Sequence, residues 1–179
     1  MSYLIIFLLT VIMSCQGDLM YENITGVSLK EGMHIWIILY AIVTATFYAY
    51  QTYKLYKQLS KPRVWAHIWI VLTAITMIAG SFFPYTINSK DIFSTLHVYC
   101  SMSSCLSFLI LLFLYNRFLS YENFIVYSKI HWYYDLGLQF LGILVIVFTR
   151  VNGYLEILFA VLVTGYLYML DKELKKSIQ

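Results

Sequence analysis

The sequence is poor in charge. Only 12% of its 179 residues are Asp, Glu, Lys or Arg, while 61% are hydrophobic. A soluble domain carries about 25% charged and roughly 45–50% apolar residues. A globule this apolar cannot cover itself with polar groups and would expose contiguous apolar patches. The shortage excludes a soluble enzyme, a disordered chain and a nucleic-acid binder. Cysteine is scarce too. Cys15, Cys100 and Cys105 form no CxxC pair and no closed set of metal ligands. Cys100 and Cys105 fall in an apolar segment, where a thiol acts as a small hydrophobe more often than as a nucleophile. The chain has no phosphate loop, hydrolase nucleophile motif or zinc-protease motif. It also has no internal repeat and no low-complexity tract.

What the chain does have is long apolar runs, with a mean hydropathy of +0.74. A bilayer core about 30 Å thick needs about 20 mostly apolar residues per spanning helix. Residues 33–53, 64–83, 92–114 and 130–149 each meet that length, and residues 154–170 form a slightly shorter fifth run. Lipid leaves the backbone to satisfy its own hydrogen bonds, so these runs are expected to be helices. The expected fold class is all-α, a polytopic membrane helix bundle with six transmembrane helices, five strong and the first short. It forms a single integral membrane domain over residues 1–179.

The first run, residues 3–14, ends at Cys15, Gln16, Gly17 and Asp18. Ile12-Met13-Ser14-Cys15 resembles a lipoprotein cleavage box. No Lys or Arg precedes the run, although a signal sequence normally starts with positive charge. An uncleaved first helix is the favoured reading.

The net charge of +3 is too small to imply an acidic partner, but its placement is informative. Lys54, Lys57, Lys61, Arg63, Arg117, Lys129, Lys172, Lys175 and Lys176 fall on one side if the spans alternate. Lys30, Lys90 and Arg150 fall on the other, diluted by Asp18, Glu22, Glu31, Asp91 and Glu156. Basic residues concentrate in cytoplasmic loops, so both termini are expected in the cytoplasm. Ser60, Lys61 and Pro62 are expected to form a helix start, with Ser60 as N-cap and Pro62 near the first turn, Pro84 to follow the end of that helix, and Asn152-Gly153 to make a tight turn. A surface ion pair of Arg150 with Glu156 is the default for that turn. Asn23-Ile24-Thr25 matches a glycosylation sequon on the external side.

Polar groups within the spans are costly and deserve individual weighing. The four histidines, His34, His67, His97 and His131, each sit in the first turns of a different strong span, 33, 30 and 34 residues apart. Alternating helix direction sorts them into two sets: His34 with His97 near the external face, and His67 with His131 near the cytoplasmic face. Two histidines per leaflet suit two b-type hemes, since each iron takes an imidazole above and below the ring. Interfacial placement and packing are the competing roles for the same residues. Zinc fits less well, because a compact tetrahedral site needs its ligands on one side.

The segment Asp91-Ile-Phe-Ser-Thr-Leu-His97-Val-Tyr-Cys100 resembles a ligand region of the ascorbate-reducible transmembrane cytochromes b. The four histidines match that family in spacing over roughly residues 30–150. The resemblance implies six helices, two hemes b held by His34, His67, His97 and His131, a small redox donor, and electron transfer across the membrane as a heme-dependent oxidoreductase. Two weaker resemblances imply other functions. Gly80-Ser-Phe-Phe-Pro84-Tyr85, followed by Leu96-His97, is similar to six-helix proteins of the Frag/DRAM type. That implies a heme-free, lipid-associated scaffold in which His97 alone matters. Ala41-Ile-Val-Thr-Ala45 resembles the docking motif of vitamin-binding components of energy-coupling uptake systems. That implies a small-molecule-binding transport component.

Further candidates lie around the histidines. His131, Asp135 and Gln139 share one helix face at i, i+4, i+8. Asp135 is placed to orient His131, to serve a proton or substrate path, or to pack against Thr73 or Thr76. Ser94, Ser101, Ser103, Ser104, Cys105 and Ser107 make the third strong span rich in small residues, which suits close helix packing or a cofactor edge. Tyr99, Tyr40 and Tyr48 lie deep enough to line a cavity. Trp36, Trp65, Trp69, Trp132, Tyr133 and Tyr134 cluster near span ends, as an interfacial aromatic belt does. The expected partners are the lipid bilayer, a small redox donor or small-molecule ligand, and a second copy or a larger membrane complex.

Overall fold

The computed structural model describes residues 2–83, 85, 91–148 and 151–178. Among these residues seven helices occur, in the order α1 (Ser2–Ser14), α2 (Ile24–Val27), α3 (Met33–Lys57), α4 (Val64–Phe82), α5 (Ile92–Glu122), α6 (Phe124–Phe148) and α7 (Gly153–Ile178). No strand occurs among the described residues. Helices α3 to α7 are long and apolar enough to cross a membrane. The chain is therefore an all-α, multi-pass membrane protein. Helix α1, with 13 residues, is apolar but short. At 1.5 Å per residue it reaches about 20 Å, less than the bilayer core.

Several helices outrun their apolar stretches. Helix α5 has 31 residues, about 46 Å of rise, and continues past residue 114 through Arg117 to Glu122. The sequence reading ended these spans where apolarity ended. Backbone hydrogen bonding does not depend on apolar side chains, so a helix can run on through polar residues.

The chain divides into two compact units: residues 1–27 with 123–179, and residues 28–122. In the second unit α4 packs against both α3 and α5. The inner face of α3 is a stripe of Ile37, Ala41, Thr44, Ala45, Tyr48, Thr52, Leu55 and Tyr56, at the three-to-four-residue spacing of one helix side. Tyr48 and Tyr56 reach across to α5. The Tyr48 ring lies 5.3 Å from Phe108, and the Tyr56 hydroxyl donates to the Leu111 carbonyl at 2.7 Å. Gly32 begins α3 with φ 74°, a left-handed conformation that favours glycine.

In the other unit α7 packs against α6 and α1. Two glycines permit the approach of α6 to α7. A Cβ on Gly137 would collide with Leu162, and one on Gly165 with the Tyr133 hydroxyl. That hydroxyl donates to the Val161 carbonyl at 2.9 Å. Small residues at such crossings let dispersion contacts hold membrane helices together. Lys129 pairs with Glu173 at 3.2 Å, which sets the start of α6 beside the end of α7.

Candidate functional site

The histidine with the most complete environment is His97, in the second turn of α5. Its side chain is 4% exposed. Nδ1 lies 2.6 Å from the Gly80 carbonyl on α4, and Nε2 lies 3.3 Å from Ser101 Oγ one turn further along α5. A carbonyl oxygen only accepts, so Nδ1 carries the proton and donates. The bare Nε2 then accepts from the Ser101 hydroxyl. The Tyr85 ring closes the side, its centroid 5.3 Å from the imidazole. Gly80 is needed at that point because a Cβ there would lie 3.0 Å from Ser101 Oγ and 3.3 Å from Cys100 Cβ. Asp91 starts α5 below this clasp. Its carboxylate accepts the Ser94 N–H at 2.8 Å and the Ser94 hydroxyl at 2.7 Å. Those two bonds hold the Asp91 carboxyl below its ordinary range. Pro84 and Lys90, which the sequence reading placed at a helix end and in the external loop, lie outside the described residues.

The other histidines differ. His34 is exposed at the start of α3. His67 on α4 packs its ring 4.8 Å from Tyr53, and its buried Nε2 has no hydrogen-bond partner. His131 on α6 turns Nδ1 to the Tyr127 carbonyl of its own helix at 3.0 Å and stacks on the Tyr127 ring at 4.6 Å. Among the described residues no three His, Cys, Asp or Glu side chains converge as a metal group would need. Of the expected outer heme pair, His97 has Nδ1 on the Gly80 carbonyl and Nε2 beside the Ser101 hydroxyl, whereas His34 is exposed. His67 and His131 belong to different units.

Asp135 does not orient His131, whose Nδ1 is taken by Tyr127. The face that α6 buries carries Val126, Ile130 and Tyr134, and Asp135 and Gln139 are exposed away from it. Thr76 turns its hydroxyl back to the Leu72 and Thr73 carbonyls, at 3.0 and 2.9 Å. Of the residues grouped around the histidines, Ser101 touches His97, whereas Tyr99 is 70% exposed and points away. Tyr48 is a packed core residue. Ala41 and Ala45 lie on the buried face of α3, so the docking motif read there is occupied within its own unit. None of the three cysteines forms a disulfide.

The sequence reading missed a polar knot at the start of α7. Asn152, fully buried, is the helix cap rather than part of a simple turn. Its Oδ1 accepts the Leu155 N–H at 3.1 Å, and its Nδ2 donates to the Met20 carbonyl at 3.2 Å. The Gly153 N–H donates to the Glu22 carbonyl at 2.8 Å, and a Cβ on Gly153 would meet Leu19 at 2.8 Å. Glu156 accepts the Ile24 N–H at 2.7 Å at the start of α2; Arg150, its expected ion-pair partner, lies outside the described residues. Asn23, the sequon residue, caps α2 by accepting the Gly26 N–H at 2.7 Å. An Asn just before a helical run is the one available signal, since Asn is a preferred N-cap. Ser60 does not cap α4. Arg63 precedes that helix without a side-chain cap, and the Ser60 N–H donates to Glu122 at 2.8 Å. Pro62 stands before Arg63, so the helix begins two residues after the proline. Comparison with known proteins gives no match: no family model, curated protein or solved structure is similar to this chain.

Proposed function

We propose that this multi-pass membrane protein is a heme-free, lipid-associated scaffold, with His97 as the clasp that fixes the adjoining ends of α4 and α5. The observation that carries the reading is the closed environment of His97. Among the four histidines it alone is buried with both ring nitrogens bonded across or along the α4–α5 pair. An imidazole used in this way is structural. It saturates the Gly80 carbonyl at the end of α4, a position that lipid would leave bare. Lipid contact follows from the five apolar helices, whose outward sides carry residues such as Ile146, 76% exposed, and Ile35, 68% exposed. In this reading both termini face the cytoplasm.

A reduced-minus-oxidised absorption spectrum tests the reading on protein produced with a heme supply and purified in mild detergent. The expected result is no b-type absorbance. A stoichiometric heme signal that vanishes on substituting any of the four histidines would overturn it. One observation favours that rival, the transmembrane electron carrier: the buried Nε2 of His67, which has no partner and so is free to bind a ligand.

A further inference from the structure

The 58–63 connection joins α3 to α4 beside the C-terminal part of α5. The Ser60 N–H bond to Glu122 ties it there, and it leads into a cluster of four aromatic rings. Tyr56 lies 6.2 Å from Trp65 and 5.5 Å from Tyr115, and Trp65 lies 6.3 Å from Phe118. The Arg63 guanidinium carbon lies over the Phe118 ring of this cluster, 4.4 Å from its centre. A ring contact offers the guanidinium no oxygen acceptor for its N–H donors. The Arg63 Nε is buried and has no hydrogen-bond partner. No carboxylate pairs with Arg63 among the described residues, and the nearby Glu122 carboxylate is turned to Ser60.

A guanidinium is charged at every working pH, and its planar fork matches the oxygens of a phosphate. A buried donor of this kind is costly unless an acceptor reaches it. The surroundings specify the acceptor. Lys57 and Lys61 are exposed at the same end of α3 and its connection, and neither pairs with a carboxylate among the described residues, so a single anion meets several positive charges. Immediately beyond Arg63 the surface becomes apolar. Val64 is 66% exposed, Trp65 42% and Ile68 58%. Trp at such a step marks the depth where headgroups give way to acyl chains. A small soluble anion has no use for that apolar wall, whereas a phospholipid needs both parts.

We propose that Arg63, backed by Phe118 and flanked by Lys57 and Lys61, is a headgroup site for an anionic phospholipid, with acyl chain lying along Val64 and Ile68 of α4. The proposal rests on the lipid-associated reading above and names its lipid class. Arg63 holds the phosphate oxygens through its N–H donors. The two lysines add the long-range attraction that basic residues exert on anionic headgroups.

The test is thermal unfolding of the full chain in a neutral detergent, titrated with phosphatidylglycerol, with phosphatidylcholine, and with inorganic phosphate. Phosphatidylglycerol is expected to raise the unfolding midpoint at a lower mole fraction than phosphatidylcholine, with no effect of inorganic phosphate. Arg63→Gln is expected to weaken that preference about fivefold, the worth of one basic side chain near an anionic surface. The exposed pair Lys57→Gln and Lys61→Gln is expected to weaken it without changing the midpoint in phosphatidylcholine. This pair decides the matter if Arg63→Gln does not fold. Equal stabilisation by the two lipids, an unchanged preference in the lysine pair, or an equal response to inorganic phosphate would overturn the headgroup site and leave the lipid-associated reading standing. No response to either lipid would overturn both.

Discussion

Replacing His97 by alanine removes two hydrogen bonds and one ring contact. The bonds run from Nδ1 to the Gly80 carbonyl at 2.6 Å and from the Ser101 hydroxyl to Nε2 at 3.3 Å. Hydrogen bonds within membrane proteins contribute about 0.6–1.7 kcal/mol each, because the unfolded chain in lipid also finds partners. The contact with Tyr85, 5.3 Å between centroids, adds about 0.5–1.5 kcal/mol. The expected loss is about 3 kcal/mol, or a fall of about 6–12 °C in the unfolding midpoint for a chain of this length. His34→Ala removes an exposed side chain and is expected to stay within about 0.5 kcal/mol of the parent. His131→Ala loses only a bond within its own helix and a stacked ring, and is expected to fall between the two. Far-UV circular dichroism during heating in mild detergent reads all three. Equal falls for His34→Ala and His97→Ala would refute the argument, because that symmetry belongs to a ligand pair sharing one iron.

Three further outcomes follow from the packing. Gly165→Ala drives a methyl into the Tyr133 hydroxyl and should cost about 1–3 kcal/mol in the unfolding midpoint. Adding Tyr133→Phe should recover part of that loss, and a harmless Gly165→Ala would disprove the close approach of α6 and α7. Asn152→Ala should cost about 1–2 kcal/mol, since it removes the cap on Leu155 and the tie to Met20. Hydrogen exchange should then quicken at residues 18–24 and the first turn of α7, while α3 to α5 stay protected. The Asp91 carboxyl sits below its ordinary range because its ionised form accepts two bonds from Ser94. Its contribution is therefore complete above the ordinary carboxylate pKa and disappears as pH falls through the lowered value. Exchange at the first turn of α5 should rise on acidification, and Asp91→Ala should abolish that dependence.

The existence of the helices was legible because lipid imposes a length and a composition that any reader can count. Helix ends were less legible. The polar continuation of α5 through Arg117 and Glu122 follows backbone bonding, which apolarity does not report. The Asn152 knot was invisible for another reason: its partners, Met20 and Glu22, are about 130 residues away, and only folding brings them together. Spacing proved weakest at the histidines. Equal intervals along the chain place residues at similar depths, but they say nothing about which way each side chain turns. His34 turns outward, His97 inward, and His131 back onto its own helix.

Polar content within apolar helices is therefore a poor marker of function unless its bonds are traced. Thr44, Thr76, Ser81, Ser103, Ser104 and Thr164 all bond to carbonyls of their own helix three or four residues back. Any hydroxyl in a helix can do this, so such residues need no partner and predict none. The informative groups are those a single helix cannot satisfy. An imidazole can bond its own helix with one nitrogen and still have another to place. A guanidinium has more donors than its own turn can accept. His97 meets that demand by reaching Gly80 on the neighbouring helix, and the result is a clasp. Arg63 meets only part of it with the face of Phe118. The donor it leaves over is where this protein has most to gain from a ligand carrying negative charge.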